Sequence, residues 1–139
     1  MPSVFRPERE GAAVAVGPLE SDVLECLWRA GAMQTVPEVH KAMNAGGRDI
    51  SYSAVKAVLN NLADKGLLTK ARQGKVTAFE PVQTREEFEA RVMSSVIGSL
   101  KRNYGAPVIA QFVDQLAVDE ETIEEFERLI AQRRKELGR

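Results

Sequence analysis

Apolar positions in this chain recur at helical spacings of three and four, and alternate in one short region between them. The first helical stretch runs from about Pro18 to Ala30. Leu19, Val23, Cys26, Leu27 and Ala30 share a face, with Leu24 and Trp28 at its edge; Pro18 suits the first position and Gly31 the stop. Thr35-Val36-Pro37-Glu38 reads as a capping box for a second helix, with Val36, Val39 and Met43 inward and Gly46-Gly47 at its end. Ser51 suits the N-cap of a third helix, whose buried stripe is Val55, Val58, Leu59 and Leu62 and whose stop is Gly66. The alternation follows at once. Leu67 to Arg72 and Lys75 to Glu80 predict two strands, with Gln73-Gly74 at the turn and Pro81 closing the pair.

The helical period then returns. Thr84-Arg85-Glu86-Glu87 is a second capping box, opening a long helix with Phe88, Val92, Met93, Val96, Ile97 and Leu100. Asn103 to Pro107 break it, and a short helix follows with Val108, Ile109, Phe112, Val113 and Leu116. Asp119 caps a last helix carrying Ile123, Phe126, Leu129 or Ile130, and Leu137. Glu120 and Glu121 at its start and Arg133, Arg134 and Lys135 at its end both suit the helix dipole, and Glu124 is spaced to pair with Arg128.

Three helices followed by a hairpin predict a winged helix-turn-helix over residues 18–82. The fold class is thus mostly α with a small β-wing, followed by a three-helix domain over residues 83–139. Residues 1–17 carry Pro2, Pro7, Gly11 and Gly17 without a sustained period and read as a flexible N-terminal tail. Arg6 and Arg9 could serve as a minor-groove arm, although a solvated tail is the plainer reading. The last three helices are too few for a robust core and carry more apolar stripe than a small bundle covers. A second copy would bury that stripe, which predicts a homodimer with two reading heads. A groove for a small effector between these helices is the competing reading.

Composition changes this picture in two places. The chain has one cysteine, Cys26, which excludes an internal disulfide and a thiolate cluster. No stretch approaches the roughly 18 apolar residues of a membrane span, so no membrane insertion is expected. The longest apolar run near the start, Ala12 to Val16, is followed by Gly17-Pro18 and does not resemble a secretion signal; a cytoplasmic location is expected. The net charge of −1 speaks against nucleic acid until its distribution is considered. Between residues 48 and 75 stand Arg48, Lys56, Lys65, Lys70, Arg72 and Lys75 against only Asp49 and Asp64, whereas acids outnumber bases from residue 84 onward.

The exposed face of the third helix carries the candidate chemistry. Tyr52, Ser53, Lys56, Ala57, Asn60 and Asn61 lie opposite the buried stripe, with no acid until Asp64. An ordinary solvent face mixes Glu with Lys. An acid-free polar face suits DNA: lysine neutralises phosphate, asparagine can bond adenine bidentately, and a small Ala57 permits close approach to a thymine methyl. Lys70, Arg72 and Lys75 crowd the hairpin and point to the phosphate backbone. The candidate DNA contacts are therefore Tyr52, Ser53, Ala54, Lys56, Ala57, Asn60, Asn61, Lys70, Arg72 and Lys75. His40, the one histidine, and Cys26 read as packing residues, because no metal-ligand set or activating neighbour accompanies them. No nucleophile–His–acid set or phosphate loop is present, so no enzyme activity, metal or cofactor is expected. Acid pairs such as Glu86-Glu87 sit at helix starts, where capping explains them. A protein-interaction adaptor remains the other class, since fold does not fix function.

Residues 18–137 resemble the penicillinase-repressor family (BlaI/MecI/CopY type) of bacterial transcription regulators. The resemblance is carried by Leu19-Glu20-x-x-Val23-Leu24-x-x-Leu27-Trp28, by Val36-x-Glu38-Val39-His40, by Tyr52-Ser53-Ala54-Val55-Lys56-Ala57-Val58-Leu59-x-x-Leu62-x-x-Lys65-Gly66-Leu67-Leu68, and by Gly74-Lys75. It implies a repressor that dimerises through its last three helices and binds short inverted repeats in double-stranded promoter DNA. In the β-lactam-responsive branch, relief comes from proteolysis at an Asn-Phe bond. The resemblance thus implies a sensor protease as a candidate partner, but the aligned pair here is Gln111-Phe112, and glutamine in place of asparagine counts against relief by cleavage. The copper-responsive branch uses C-terminal cysteine pairs, and this chain has no cysteine after Cys26.

Overall fold

A computed structural model describes residues 16–138. The elements run α1 (Pro18–Ala30), β1 (Gln34–Thr35), α2 (Val36–Asn44), α3 (Tyr52–Asp64), β2 (Leu68–Gln73), β3 (Val76–Pro81), α4 (Arg85–Tyr104), α5 (Pro107–Leu116) and α6 (Glu120–Leu137). The chain divides into two compact units, one ending at Ser94 and the other beginning at Ser95. The tail expected over residues 1–17, with its Arg6 and Arg9, lies almost wholly outside the described residues. Its last two positions belong to the folded body: Val16 joins the core, and Gly17 is the N-cap of α1, its N–H donating to Glu20 at 3.2 Å.

The first unit is a winged helix-turn-helix. Val23, Leu24 and Leu27 of α1, Val36, Val39 and Met43 of α2, and Val55, Leu59 and Leu62 of α3 close on one core with Leu68, Phe79 and Phe88. Burying each such side chain contributes about 1.5–3 kcal/mol, which is why the helical spacing alone located most of them. Leu24, expected at the edge of α1, is at its centre, and Ala30, expected inward, is exposed. The buried stripe of α1 is turned toward its larger side chains, because a leucine gains more from burial than an alanine does.

The helix starts follow the local chemistry. Thr35 accepts from the Glu38 N–H at 3.4 Å while Glu38 accepts from the Thr35 N–H at 2.8 Å, and Thr84 and Glu87 make the same exchange at 3.1 and 2.9 Å. Ser51 accepts from the Ala54 N–H at 3.1 Å, and Asp119 from Thr122 at 2.8 Å. Gly66, with φ +80°, ends α3: its N–H reaches Ala63 O and the Leu67 N–H reaches Leu62 O, the double closure of a Schellman motif.

That closure shifts the hairpin. Leu67 is used to finish α3, so β2 begins at Leu68, and Gln73 pairs with Val76. The turn residues are Gly74 and Lys75 rather than Gln73 and Gly74. Gly74, φ +67°, takes the first turn position, the place where a two-residue hairpin of this kind requires positive φ. The sheet has a third member. β1 pairs antiparallel with β3, giving the order β1-β3-β2 with Ala78 and Phe79 buried in the central strand. Two residues are too few to show alternation, which is why β1 was not expected.

The start of α4 belongs to this first unit. Phe88 is buried 5.6 Å, centroid to centroid, from Trp28, whose indole N–H donates to Gln83 O at 2.9 Å. Arg85 lies over the Trp28 ring and donates to Glu25 at 3.0 Å, which raises its already high pKa.

The second unit comprises the end of α4 with α5 and α6. None of its described residues is buried. On α6, Arg128 pairs with Glu125, three residues earlier, at 2.7 Å rather than with Glu124, and the pairing holds the Glu125 carboxyl below its ordinary range.

Candidate nucleic-acid interface

The buried stripe of α3 fixes which of its residues face outward. With Val55, Leu59 and Leu62 fully buried, Tyr52, Ser53, Lys56, Ala57 and Asn61 are exposed on the other side. Asn60 is half-buried and its amide donates to Lys56 O at 3.0 Å, so its Nδ2 is engaged within the helix. Ala54 is half-buried too, at the Ser51 cap. The Tyr52 ring meets the His40 ring edge-on, 5.7 Å between centroids.

The basic excess divides into two groups. Arg48 is paired with Asp22 at 2.8 Å and Lys65 with Glu20 at 2.8 Å, so both serve to tie α3 and its preceding loop to α1. Lys56, Lys70, Arg72 and Lys75 are exposed and form no ion pair among the described residues. The register puts Lys70 opposite Phe79 and Arg72 opposite Thr77, so the two cations share one face of the wing. Lys70 Nζ stands 6.0 Å from the Phe79 ring centroid. Glu80, opposite Thr69, is on the other face, and Lys75 is at the hairpin tip. Four cations without acidic partners, on a helix and the hairpin that follows it, make an arrangement suited to a phosphate backbone.

Sequence spacing did not reveal what holds this helix at its start. Asn44 accepts from the Ile50 N–H at 2.6 Å and donates to Ile50 O at 2.9 Å, and His40 Nε2 donates to the same carbonyl at 2.9 Å. The shared partner is a backbone group, which has no signature in a sequence. Asn44 just before Gly46-Gly47 was the only hint.

Other expected residues lie elsewhere. Gln111 is exposed and Phe112 half-buried, and the bond between them is inside α5. Cys26 is half-buried, and burial pushes its thiol pKa up. It lines an open cleft of about 410 Å³ with Asp22, Glu25, Arg29, Met43 and Arg48. Among the described residues no cluster of three or more His, Cys, Asp or Glu could hold a metal, and no helix is long and apolar enough to cross a membrane.

An exposed helix face with no acid before Asp64, followed by a basic hairpin, on this topology, defines a winged-helix regulator that binds DNA. The family model of the penicillinase repressor matches residues 16–132. The transcriptional regulator BlaI of Mycobacterium tuberculosis, in strains CDC 1551 and H37Rv, is 32% identical over 106 residues, covering 76% of either chain. The chain belongs to the penicillinase repressor family, whose members are transcriptional regulators and not enzymes, and it is a DNA-binding transcriptional repressor. Among solved structures, RosR of H. salinarum aligns over 90% of this chain and 99% of its own, with 16% identity and a TM-score of 0.46. A MarR family protein of Bacillus stearothermophilus aligns over 89% and 76%, with 21% identity and a TM-score of 0.43. The family assignment rests on the sequence matches.

Proposed function

We propose that this repressor acts in the cytoplasm as a homodimer on inverted-repeat operators, each protomer laying α3 in a major groove and its wing along the adjacent backbone. The observation that carries the DNA contact is the face of α3, free of acids before Asp64, beside four cations with no ion pair among the described residues, Lys56, Lys70, Arg72 and Lys75. In this reading those cations meet phosphates, and Tyr52, Ser53, Ala57, Asn60 and Asn61 face base edges or sugar. Asn60 then rotates away from Lys56 O to reach a base, while Ala54 contributes only its backbone surroundings. The division of labour is a reading head over residues 18–82, whose core Phe88 at the start of α4 completes, and a dimerisation domain over residues 83–139 that acts through its part beyond Ser94.

The dimer is supported by the second unit's surface. Ile97, Ile109, Val113, Leu116, Ile123 and Ile130 are all exposed on a single protomer. Exposed apolar side chains of that number mark an interface rather than a solvent face. Two protomers related by a two-fold axis present two copies of α3, which an inverted repeat matches. A sensor protease cutting at Gln111-Phe112 would split this unit and relieve repression, after local opening of α5.

The test is fluorescence anisotropy with the duplex upstream of the protein's own gene beside a scrambled duplex, at two salt concentrations. Tight, salt-sensitive binding to the first alone agrees with the reading. Absence of binding to either at low salt would sink it and favour an adaptor. The cleft lined by Cys26 favours a second reading, an effector-sensing regulator. Its Asp22 and Glu25 are already paired with Arg48 and Arg85, which leaves less charge to recognise a ligand.

A further inference from the structure

We infer that His40 is a positioning residue for DNA reading: it orients Tyr52, the aromatic side chain at the start of α3. The inference rests on the reading of α3 given above. Three hydrogen bonds meet at the Ile50 backbone: its N–H donates to Asn44 Oδ1, and its C=O accepts from Asn44 Nδ2 and His40 Nε2. A carbonyl only accepts, so His40 carries its proton on Nε2. Asn44 alone satisfies both the N–H and the C=O of Ile50, and a further Asn44 bond to His40 O at 3.0 Å braces it on α2. The loop backbone is therefore held with or without the imidazole.

What Asn44 does not duplicate is the ring contact. The His40 ring stands 5.7 Å from the Tyr52 ring at 74°, an edge-to-face arrangement. Tyr52 is 47% exposed, and its hydroxyl has no hydrogen-bond partner among the described residues. A tyrosine so placed distributes among rotamers unless a neighbour selects one. An edge-on aromatic contact biases that choice by about two- to tenfold, and affinity for DNA falls with the population of the selected rotamer, at most by that factor, when the bias is lost. The geometry thus makes α2 more than a support: one side chain sets the presentation of α3's first aromatic, and Asn44 sets the backbone beneath it.

The experiment measures anisotropy on a duplex selected by the wild-type protein from a random-sequence pool, with a non-selected duplex beside it. His40→Gln keeps an N–H for Ile50 O and removes the ring. It is expected to lower affinity for the selected duplex by about twofold and at most about tenfold, with an unchanged salt slope. His40→Phe, which restores an aromatic edge, is expected to recover affinity to within about twofold. In a Tyr52→Ala background His40→Gln should add almost nothing. Wild-type affinity in His40→Gln, or losses that multiply in the double variant, would overturn the inference. So would a Tyr52→Ala protein that binds normally. Lys56→Ala, measured in parallel, separates the two failures: if it too binds normally, the reading of α3 falls as well, and if it binds weakly, only the role of His40 does.

Discussion

The two units of this chain use the same helical periodicity to opposite ends. In the first, thirteen side chains, Val16 and twelve from α1, α2, α3, the sheet and the start of α4, close on one another. In the second, α5 and α6 carry equally regular apolar stripes and bury no residue fully; Ile109 is 66% exposed and Leu137 73%. An amphipathic helix is a request for a partner surface. The winged helix supplies that surface from its own chain, and the C-terminal helices, in the proposed dimer, obtain it from a second copy. The contrast separates two kinds of apolar position that look alike in sequence: those that fold a protomer and those that join two.

Substitutions at equivalent apolar positions should therefore have different consequences. Leu59→Ala, in the closed core, is expected to destabilise the first unit by about 2–5 kcal/mol, read by urea unfolding. Ile109→Glu, on the open face, should leave the first unit's unfolding midpoint unchanged and weaken dimerisation by about thirtyfold or more, read by sedimentation at a series of concentrations. A first unit that unfolds more easily in Ile109→Glu, with dimerisation intact, would erase the distinction. Thr35→Ala removes a cap at the start of α2 and should cost about 1 kcal/mol, again in the first unit alone.

Two finer effects sharpen the comparison. Lys75→Ala, at the hairpin tip, should weaken binding to all duplexes alike and reduce the salt slope by about one, leaving dimerisation unchanged. The cap of α6 gives a pH signature in the second unit. The Thr122 N–H holds the Asp119 carboxyl below its ordinary range, as the Thr35 N–H does for Glu38 in the first. A lowered folded-state pKa contributes stability above the unfolded value and loses it as pH falls through the folded one. The difference in Tm between wild type and Asp119→Ala should thus be constant near neutral pH and shrink below about pH 4.

Much of this architecture is legible in the sequence because local signals agree. α3 is bounded by a serine cap and Gly66 and carries its stripe at three–four spacing, so its exposed face follows without further information. The departures have physical causes. Gly74 fits either position of a hairpin turn by composition, and only the closure of α3 by Leu67 decides between them. Glu124 and Glu125 are both within reach of Arg128 by spacing, and Arg128 bonds the latter. β1 exists because β3 is beside it; Gln34 and Thr35 alone do not specify a strand. At the candidate interface the list of cations was readable, but their pairing was not. Glu20 and Asp22, far away in sequence, withdraw Lys65 and Arg48 from the surface available to DNA.

The most direct test of the account is to sequence the duplexes that the wild-type protein recovers from a random pool. A dimer presenting two copies of α3 predicts an inverted repeat with half-sites whose centres lie about one helical turn, or a multiple of it, apart. Enrichment of a single unrepeated motif would contradict the dimer, and no enrichment at all would contradict the reading of α3.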